Sequence, residues 1–244
     1  MKKNPAIFLI LVIGIFFYLN RSYARIYDRD ESRISNISWT YPITITNPSF
    51  QNKVKYVSIG DSLAMGIGSK DATKTLPFIV ANKLSQRMSV TLVNIAVIGA
   101  TSDEVLLDQL NNTITQKPDY ITLFLGTNDI HNLIPSSKFE ENMNYIIKML
   151  ANKTSAKIIV FNIPYLGLNN LILFPYNLLF DYQIKQYNRV LTRISEANKI
   201  ILIDLYNPTK DNFSKQPNFY SNDNFHPSEE GYLLWGTLVD SEDF

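Results

Sequence analysis

The sequence predicts a three-layer α/β/α sandwich built on a five-stranded parallel sheet, and three observations carry that prediction. Short apolar runs of strand length are separated by longer stretches with helical periodicity. The two patterns alternate from about Gln51 to the C-terminus, so consecutive strands are joined by crossovers and run parallel. Each run is apolar at nearly every position, as a strand is when both of its faces are covered.

Taken in order, the chain opens with Lys2 and Lys3 and then runs from Pro5 to Leu19 without a charge, the layout of a basic n-region before an apolar h-region. At about 1.5 Å per residue that run spans roughly 22 Å, short of a ~30 Å hydrocarbon core unless Asn20, Tyr23 and snorkelling lysines extend it. Ser22-Tyr23-Ala24 has small-x-small spacing, but Arg21 is out of place in a cleavage region, and there is no cysteine for a lipid. Residues 1–24 therefore read as a signal anchor or a signal peptide, with the uncleaved anchor preferred, and a membrane is the expected partner of this segment. Residues 25–51 read as a polar tether, with mixed charge from Asp28 to Arg33 and prolines at Pro42 and Pro48. Within it Ile43 to Thr46 alternates, and is long enough only for a short edge strand.

The folded domain is expected over 52–244. Its strands are read at Tyr56 to Ile59, Thr91 to Ile95, Tyr120 to Leu125, Ile158 to Phe161 and Ile200 to Leu205. Helices are read at about Leu76 to Met88, Asp103 to Leu110, Phe139 to Leu150, Asp181 to Ala197 and Glu229 to Val239. Thr101 to Glu104 and Ser137 to Glu140 both have capping-box spacing.

Composition narrows the function. A formal net charge of +1 provides no surplus of Lys and Arg to displace counterions, so nucleic acid is not an expected partner. With no cysteine there is no thiolate catalysis, disulfide or cysteine-ligated metal, and with only His131 and His226 a zinc site would have to be built mostly from carboxylates. No metal and no cofactor is expected.

In an open parallel sheet ligands bind beyond the carboxyl ends of the strands, so the loops after the strands hold the chemistry. After the first comes Gly60-Asp61-Ser62-Leu63, with Ser62 as candidate nucleophile; after the second, Gly99 just precedes a capped helix and can present its N–H to an oxyanion; after the third, Gly126-Thr127-Asn128-Asp129 supplies the Asn128 amide as a further donor. Near the other end of the chain Asp223-Asn224-Phe225-His226-Pro227 brings a carboxylate and an imidazole to the same edge. The chemistry requires this set. A serine hydroxyl is a poor nucleophile at neutral pH, an imidazole must take its proton, and a carboxylate must stabilise the imidazolium. Asp129 is placed to orient Asn128 or its loop, and Asp61 to cap the helix behind Ser62; His131 reads as a bystander. Any one segment has a bland reading, since a serine after a strand often caps a helix and Gly-Thr-Asn-Asp makes ordinary turns. The conjunction of four such segments at one sheet edge is what carries the catalytic reading.

In this order the four segments resemble those of the GDSL or SGNH hydrolase family, over about Val54 to Trp235. The resemblance implies a flavodoxin-like sandwich and a serine esterase, with Ser62 as nucleophile, the Ser62 backbone, Gly99 and Asn128 as oxyanion donors, His226 as base and Asp223 as triad acid. Gly60-x-Ser62-x-Ala64 departs from the G-x-S-x-G elbow of α/β-hydrolases, which argues against that fold. The expected substrate is an acyl or acetyl ester of a small molecule, lipid or glycan, with the domain outside the cytoplasm, either anchored or secreted. Two alternatives keep the site but change its use: an envelope glycan O-acyltransferase, and a glycan-binding domain with a silent site. Leu166 to Phe180, long and apolar for a loop, is read as part of an acyl pocket or lid, a short extra helix, or a membrane-facing surface.

Overall fold

The structure is a computed structural model that describes residues 5–27, 41–166, 172–213 and 216–240. Among the described residues six strands form one sheet: β1 (Ile43–Ile45), β2 (Lys53–Gly60), β3 (Ser89–Asn94), β4 (Tyr120–Phe124), β5 (Lys157–Phe161) and β6 (Ile201–Ile203), in the spatial order β1-β3-β2-β4-β5-β6. All neighbours pair in parallel except β1, which runs antiparallel to β3 with Ile43 opposite Leu92. The architecture is the expected α/β/α sandwich, with a sixth strand added at its edge. β1 comes from the stretch read as a tether, where three alternating residues suffice because an edge strand needs a partner on one side only. The mixed-charge stretch within 28–40 lies outside the described residues.

The two core layers follow from period-two geometry. Along the central strands Val57, Ile59, Ile121, Leu123, Ile158 and Val160 point into one layer, while Tyr56, Phe124, Ile159 and Phe161 point into the other. The first layer is closed by α7 (Ser136–Lys153) and α8 (Tyr176–Asn198), through Phe139, Ile146, Leu150, Tyr187 and Leu191. The second is closed by α3 (Leu76–Ser85) and α10 (Glu229–Thr237), through Leu76, Val80, Leu84, Tyr232 and Trp235. Burial on both faces is why these strands read as continuous apolar runs. Within this layer the Tyr56 hydroxyl and Thr122 Oγ1 are paired by a buried hydrogen bond at 2.6 Å.

Several boundaries differ from the sequence reading. The helix expected from Asp103 to Leu110 runs from 102 to 115 in three parts: α4 (Ser102–Glu104), a π-helical turn (Val105–Gln109) and α5 (Leu110–Thr115). α7 begins at Ser136 after Pro135, so Ser137 lies inside the helix and the capping box expected there does not form. At Thr101 the other box does form, with Glu104 accepting the Thr101 N–H at 2.7 Å. Short helices follow β2 and β4, and one follows β6; their interrupted apolar patterns are too brief to show periodicity. Of the stretch Leu166 to Phe180, residues 167–171 lie outside the described residues, and Tyr176 to Phe180 form the first turns of α8, with Phe180 buried and Leu178 and Leu179 exposed.

The N-terminal segment is helical, α1 (Pro5–Tyr27), and it exposes Leu9 to Ile13 and Ile15 to Tyr18. Its far end packs on the domain, where the ring of Tyr23 meets that of Tyr176 at 5.8 Å. Among the described residues no helix is long and apolar enough to cross a membrane, so the fold lends no support to the expected attachment of residues 1–24 to a membrane.

The core predicts a sharp contrast between two leucines. Leu123, fully buried at the centre of the sheet, should lose about 2–5 kcal/mol of stability as Leu123→Ala, while the exposed Leu107 should change by less than about 0.5 kcal/mol as Leu107→Ala. Urea unfolding of both variants measures the difference.

Candidate active site

From β2 the chain moves outward to β3 and then crosses back to β4 on the other flank, so the crevice of this sheet opens beyond the carboxyl ends of β2 and β4. Ser62 sits there as the first residue of α2 (Ser62–Met65). The turn that presents it depends on glycine. Gly60 has φ +136°, and a Cβ on it would lie 1.9 Å from the Phe124 carbonyl oxygen. The same close approach lets Asp61 N–H donate to that oxygen at 3.2 Å. On the other side Val97 N–H donates to Gly60 C=O at 3.1 Å, which stitches the loop after β3 to the same turn. Asp61 caps α2, accepting the Leu63 N–H at 2.9 Å.

A further anchor comes from Gln109, a residue that the sequence reading passed over. Its buried amide donates to Gly60 C=O at 2.8 Å and accepts the Gly60 N–H at 2.9 Å. Gln109 closes the π-helical turn, the kind of local widening that re-aims a side chain within a helix. A signal was available: Gln109 falls four residues after Val105 on a buried stripe, where a polar residue needs partners.

Asp223 and His226 arrive from the segment between β6 and α10, whose connection includes α9 (Tyr206–Phe213). Asn224, at φ +57°, turns the chain between them. His226 Nε2 lies 2.9 Å from Ser62 Oγ, and His226 Nδ1 lies 2.5 Å from Asp223 Oδ2. A carboxylate only accepts, so Nδ1 carries the proton and donates to Asp223, leaving Nε2 to accept the Ser62 O–H. Ser62 and His226 are both buried. The other Asp223 oxygen accepts the Ser221 hydroxyl at 2.7 Å, the Phe225 N–H at 2.8 Å and the His226 N–H at 2.9 Å. Burial pushes the Asp223 carboxyl upward, but the hydrogen bond and charge of His226, with those from Ser221 and Phe225, outweigh it and hold the carboxyl well below the usual carboxylate range.

Gly99 is exposed, at φ +80°, in the third position of a turn that Ala100 N–H closes on Val97 C=O at 3.1 Å. No heavy atom outside its immediate neighbours lies within 4 Å of a Cβ built there, so its backbone faces open space. Asn128 lies in α6 (Thr127–His131); its Nδ2 donates to Ala100 C=O at 3.1 Å and stands at a long 3.4 Å from Asp61 Oδ2. That weak second contact leaves one amide hydrogen available to an incoming oxygen. The Ser62 N–H, first in its helix, has no partner within it. His131, half-buried, ends α6 with Nδ1 3.2 Å from Asn132 Oδ1. Among the described residues no group of three or more His, Asp and Glu is arranged to hold a metal ion.

A hydroxyl relayed through an imidazole to a carboxylate, beside backbone and amide donors, is equipment for acyl transfer through serine. The GDSL-like lipase/acylhydrolase family model matches residues 58–234. The chain belongs to that family. As a GDSL-like acylhydrolase it is a serine ester hydrolase. Among solved structures, a lipase/acylhydrolase from Enterococcus faecalis is similar at 26% identity and TM-score 0.61, covering 76% of this chain and 92% of that one. An acetylxylan esterase from Geobacillus stearothermophilus matches at 19% identity and TM-score 0.61, over 76% and 91% of the two chains. LAE5, an alpha/beta hydrolase enzyme from the metagenome of Lake Arreo in Spain, matches at 18% identity and TM-score 0.60, over 79% and 95% of the two chains. The last two likenesses show the fold alone. No curated protein sequence matches the chain.

Two outcomes follow for the GDSL-like hydrolase. Gly60→Ala should disrupt the turn before Ser62, losing on the order of 3 kcal/mol or more, measured by urea unfolding. Because the Asp223 carboxyl is depressed in the folded state, its stabilising contribution is full above the unfolded carboxylate value and declines as pH falls below about 4 toward the native value. The stability gap between wild type and Asp223→Asn should therefore narrow in acid, as read from unfolding midpoints across pH.

Proposed function

We propose that Ser62, His226 and Asp223 act as nucleophile, general base and orienting acid in hydrolysis of acyl or acetyl carboxylic esters, with the Ser62 N–H, Gly99 N–H and Asn128 amide as oxyanion donors. The observation that carries this reading is the unbroken relay from Ser62 Oγ to His226 Nε2 at 2.9 Å and from His226 Nδ1 to Asp223 Oδ2 at 2.5 Å. As Ser62 Oγ attacks the acyl carbon, Nε2 takes its proton, and the imidazolium is stabilised by the Asp223 carboxylate. The charge that develops on the acyl oxygen falls to the three donors. His226 then protonates the leaving alkoxide, and a water deprotonated by the same imidazole releases the acid and restores Ser62.

The exposed Gly99 loop, with Val97 and Ile98 also exposed beside it, supports an open acyl subsite that admits esters on large molecules. We infer that the enzyme works at the cell envelope or is secreted: the basic start followed by an apolar run supports export, and the acetylxylan esterase among its structural neighbours makes an O-acetylated glycan a natural first substrate to test.

Turnover of p-nitrophenyl acetate and longer acyl esters tests the mechanism. Ser62→Ala should reduce kcat to background, and Asp223→Asn should lower it by about 10⁴ through loss of the productive imidazole tautomer. Wild-type rates in Ser62→Ala would sink the acyl-serine reading, and the chain-length profile separates an acetylesterase from a long-chain acylhydrolase.

A further inference from the structure

Asn128 and Asp129 are consecutive in α6, and each holds a different residue of the segment that begins at Gly99. Asn128 takes the Ala100 carbonyl, at 3.1 Å. Asp129 takes Ser102: its two carboxylate oxygens accept the Ser102 N–H at 3.0 and 3.2 Å, and the Ser102 hydroxyl donates to the same carboxylate. Both Asp129 and Ser102 are completely buried. From the far side Asn142 of α7 donates to Ser102 Oγ at 2.8 Å, which fixes the direction of that hydroxyl.

We propose that Asp129 is a positioning residue for oxyanion stabilisation: by gripping Ser102 it sets where the Gly99 N–H stands relative to the Asn128 amide. This rests on the reading of Gly99 and Asn128 as donors. Gly99 is exposed and nothing packs where its side chain would be, so its place is set by the anchored residues on either side. On one side Val97 is tied to Gly60. On the other, Ala100 and Ser102 are tied to adjacent residues of α6, the helix that bears Asn128 itself. One rigid element thus carries one donor and holds the loop of the other.

A simpler role, stabilising the N-terminus of α4, is already filled. Glu104 accepts the Thr101 N–H at 2.7 Å and the Thr101 hydroxyl at 2.9 Å, which caps that helix from within its own first turn. A surface carboxylate would also serve the helix dipole, with no need to leave water. A carboxylate buried completely is costly unless well-placed donors surround it, and burial accordingly pushes Asp129 upward against the pull of Ser102. What the buried bidentate contact adds is geometry: misplacement of catalytic groups by ~1 Å can lower the rate about 10²-fold.

The test follows the rate at which a fluorophosphonate probe phosphonylates Ser62, normalised to folded protein, beside kcat and KM for p-nitrophenyl acetate and thermal midpoints. In Asp129→Asn, which keeps the shape but loses an acceptor, phosphonylation and kcat should fall together by about 10- to 100-fold, with KM within about twofold. Ser102→Ala, which keeps the backbone N–H contact, should give a smaller loss of the same kind. Should Asp129→Asn not fold, Ser102→Ala decides alone. Phosphonylation at the wild-type rate per folded molecule, whatever the midpoint, would overturn the proposal by leaving Asp129 a purely structural role. A wild-type chain that labels at Ser62 but hydrolyses no ester would instead remove the esterase reading, with the labelling comparison still decisive for Asp129.

Discussion

The backbone of Gly60 passes so close to the Phe124 carbonyl that a methyl group would collide with it, and the arrangement of the site depends on that approach. It allows the chain to leave β2 at a sharp angle and begin a helix at once, so that Ser62 stands at the crevice with its N–H free. Three neighbouring elements then take hold of the same turn: β4 through Asp61 N–H, the loop after β3 through Val97 N–H, and the π-helical turn through Gln109. The turn that leads into Ser62 is thus bound to the rigid centre of the sheet, although Ser62 itself belongs to a helix of only four residues. Precision of this kind is what a preorganised site requires.

Electrostatics complete what the backbone begins. Asp223 gathers donors from Ser221, Phe225, His226 N–H and the imidazole, so its charge is kept and faces the His226 ring. Asp129 is the contrasting carboxylate, buried and pushed upward, with donors from Ser102 and from its own backbone N–H. At the first carboxylate hydrogen bonds outweigh burial, and at the second burial outweighs them. Two carboxylates of the same chain are therefore pushed in opposite directions because their surroundings differ.

The parallel core, the family and the four segments were legible before any coordinates, because each depends on local pattern: apolar runs of strand length, helical periodicity, and short motifs that follow strand ends. Less legible were features that need a distant partner. Ile43 to Ile45 is a strand because β3 offers it an open edge, and four alternating residues beside a proline do not announce that. The capping-box spacing at Ser137 proved empty because Pro135 starts the helix earlier, whereas the same spacing at Thr101 is realised. Gln109 was readable in principle as a polar residue on a buried stripe, but its partner lies 49 positions away along the chain.

By itself the sequence determined the alternation of elements, the absence of cysteine chemistry and the identities of the groups at the crevice, since these depend on residue type and short-range spacing. Tertiary structure alone decided that Ser62 and His226, 164 positions apart, meet at hydrogen-bond distance, and that Asp129 reaches Ser102 rather than solvent. It also decided that the turn at Gly60 is held from three sides. The reason is physical: hydrogen-bond geometry is set to tenths of an ångström by the packing of whole elements against one another, and no local stretch of chain contains that information.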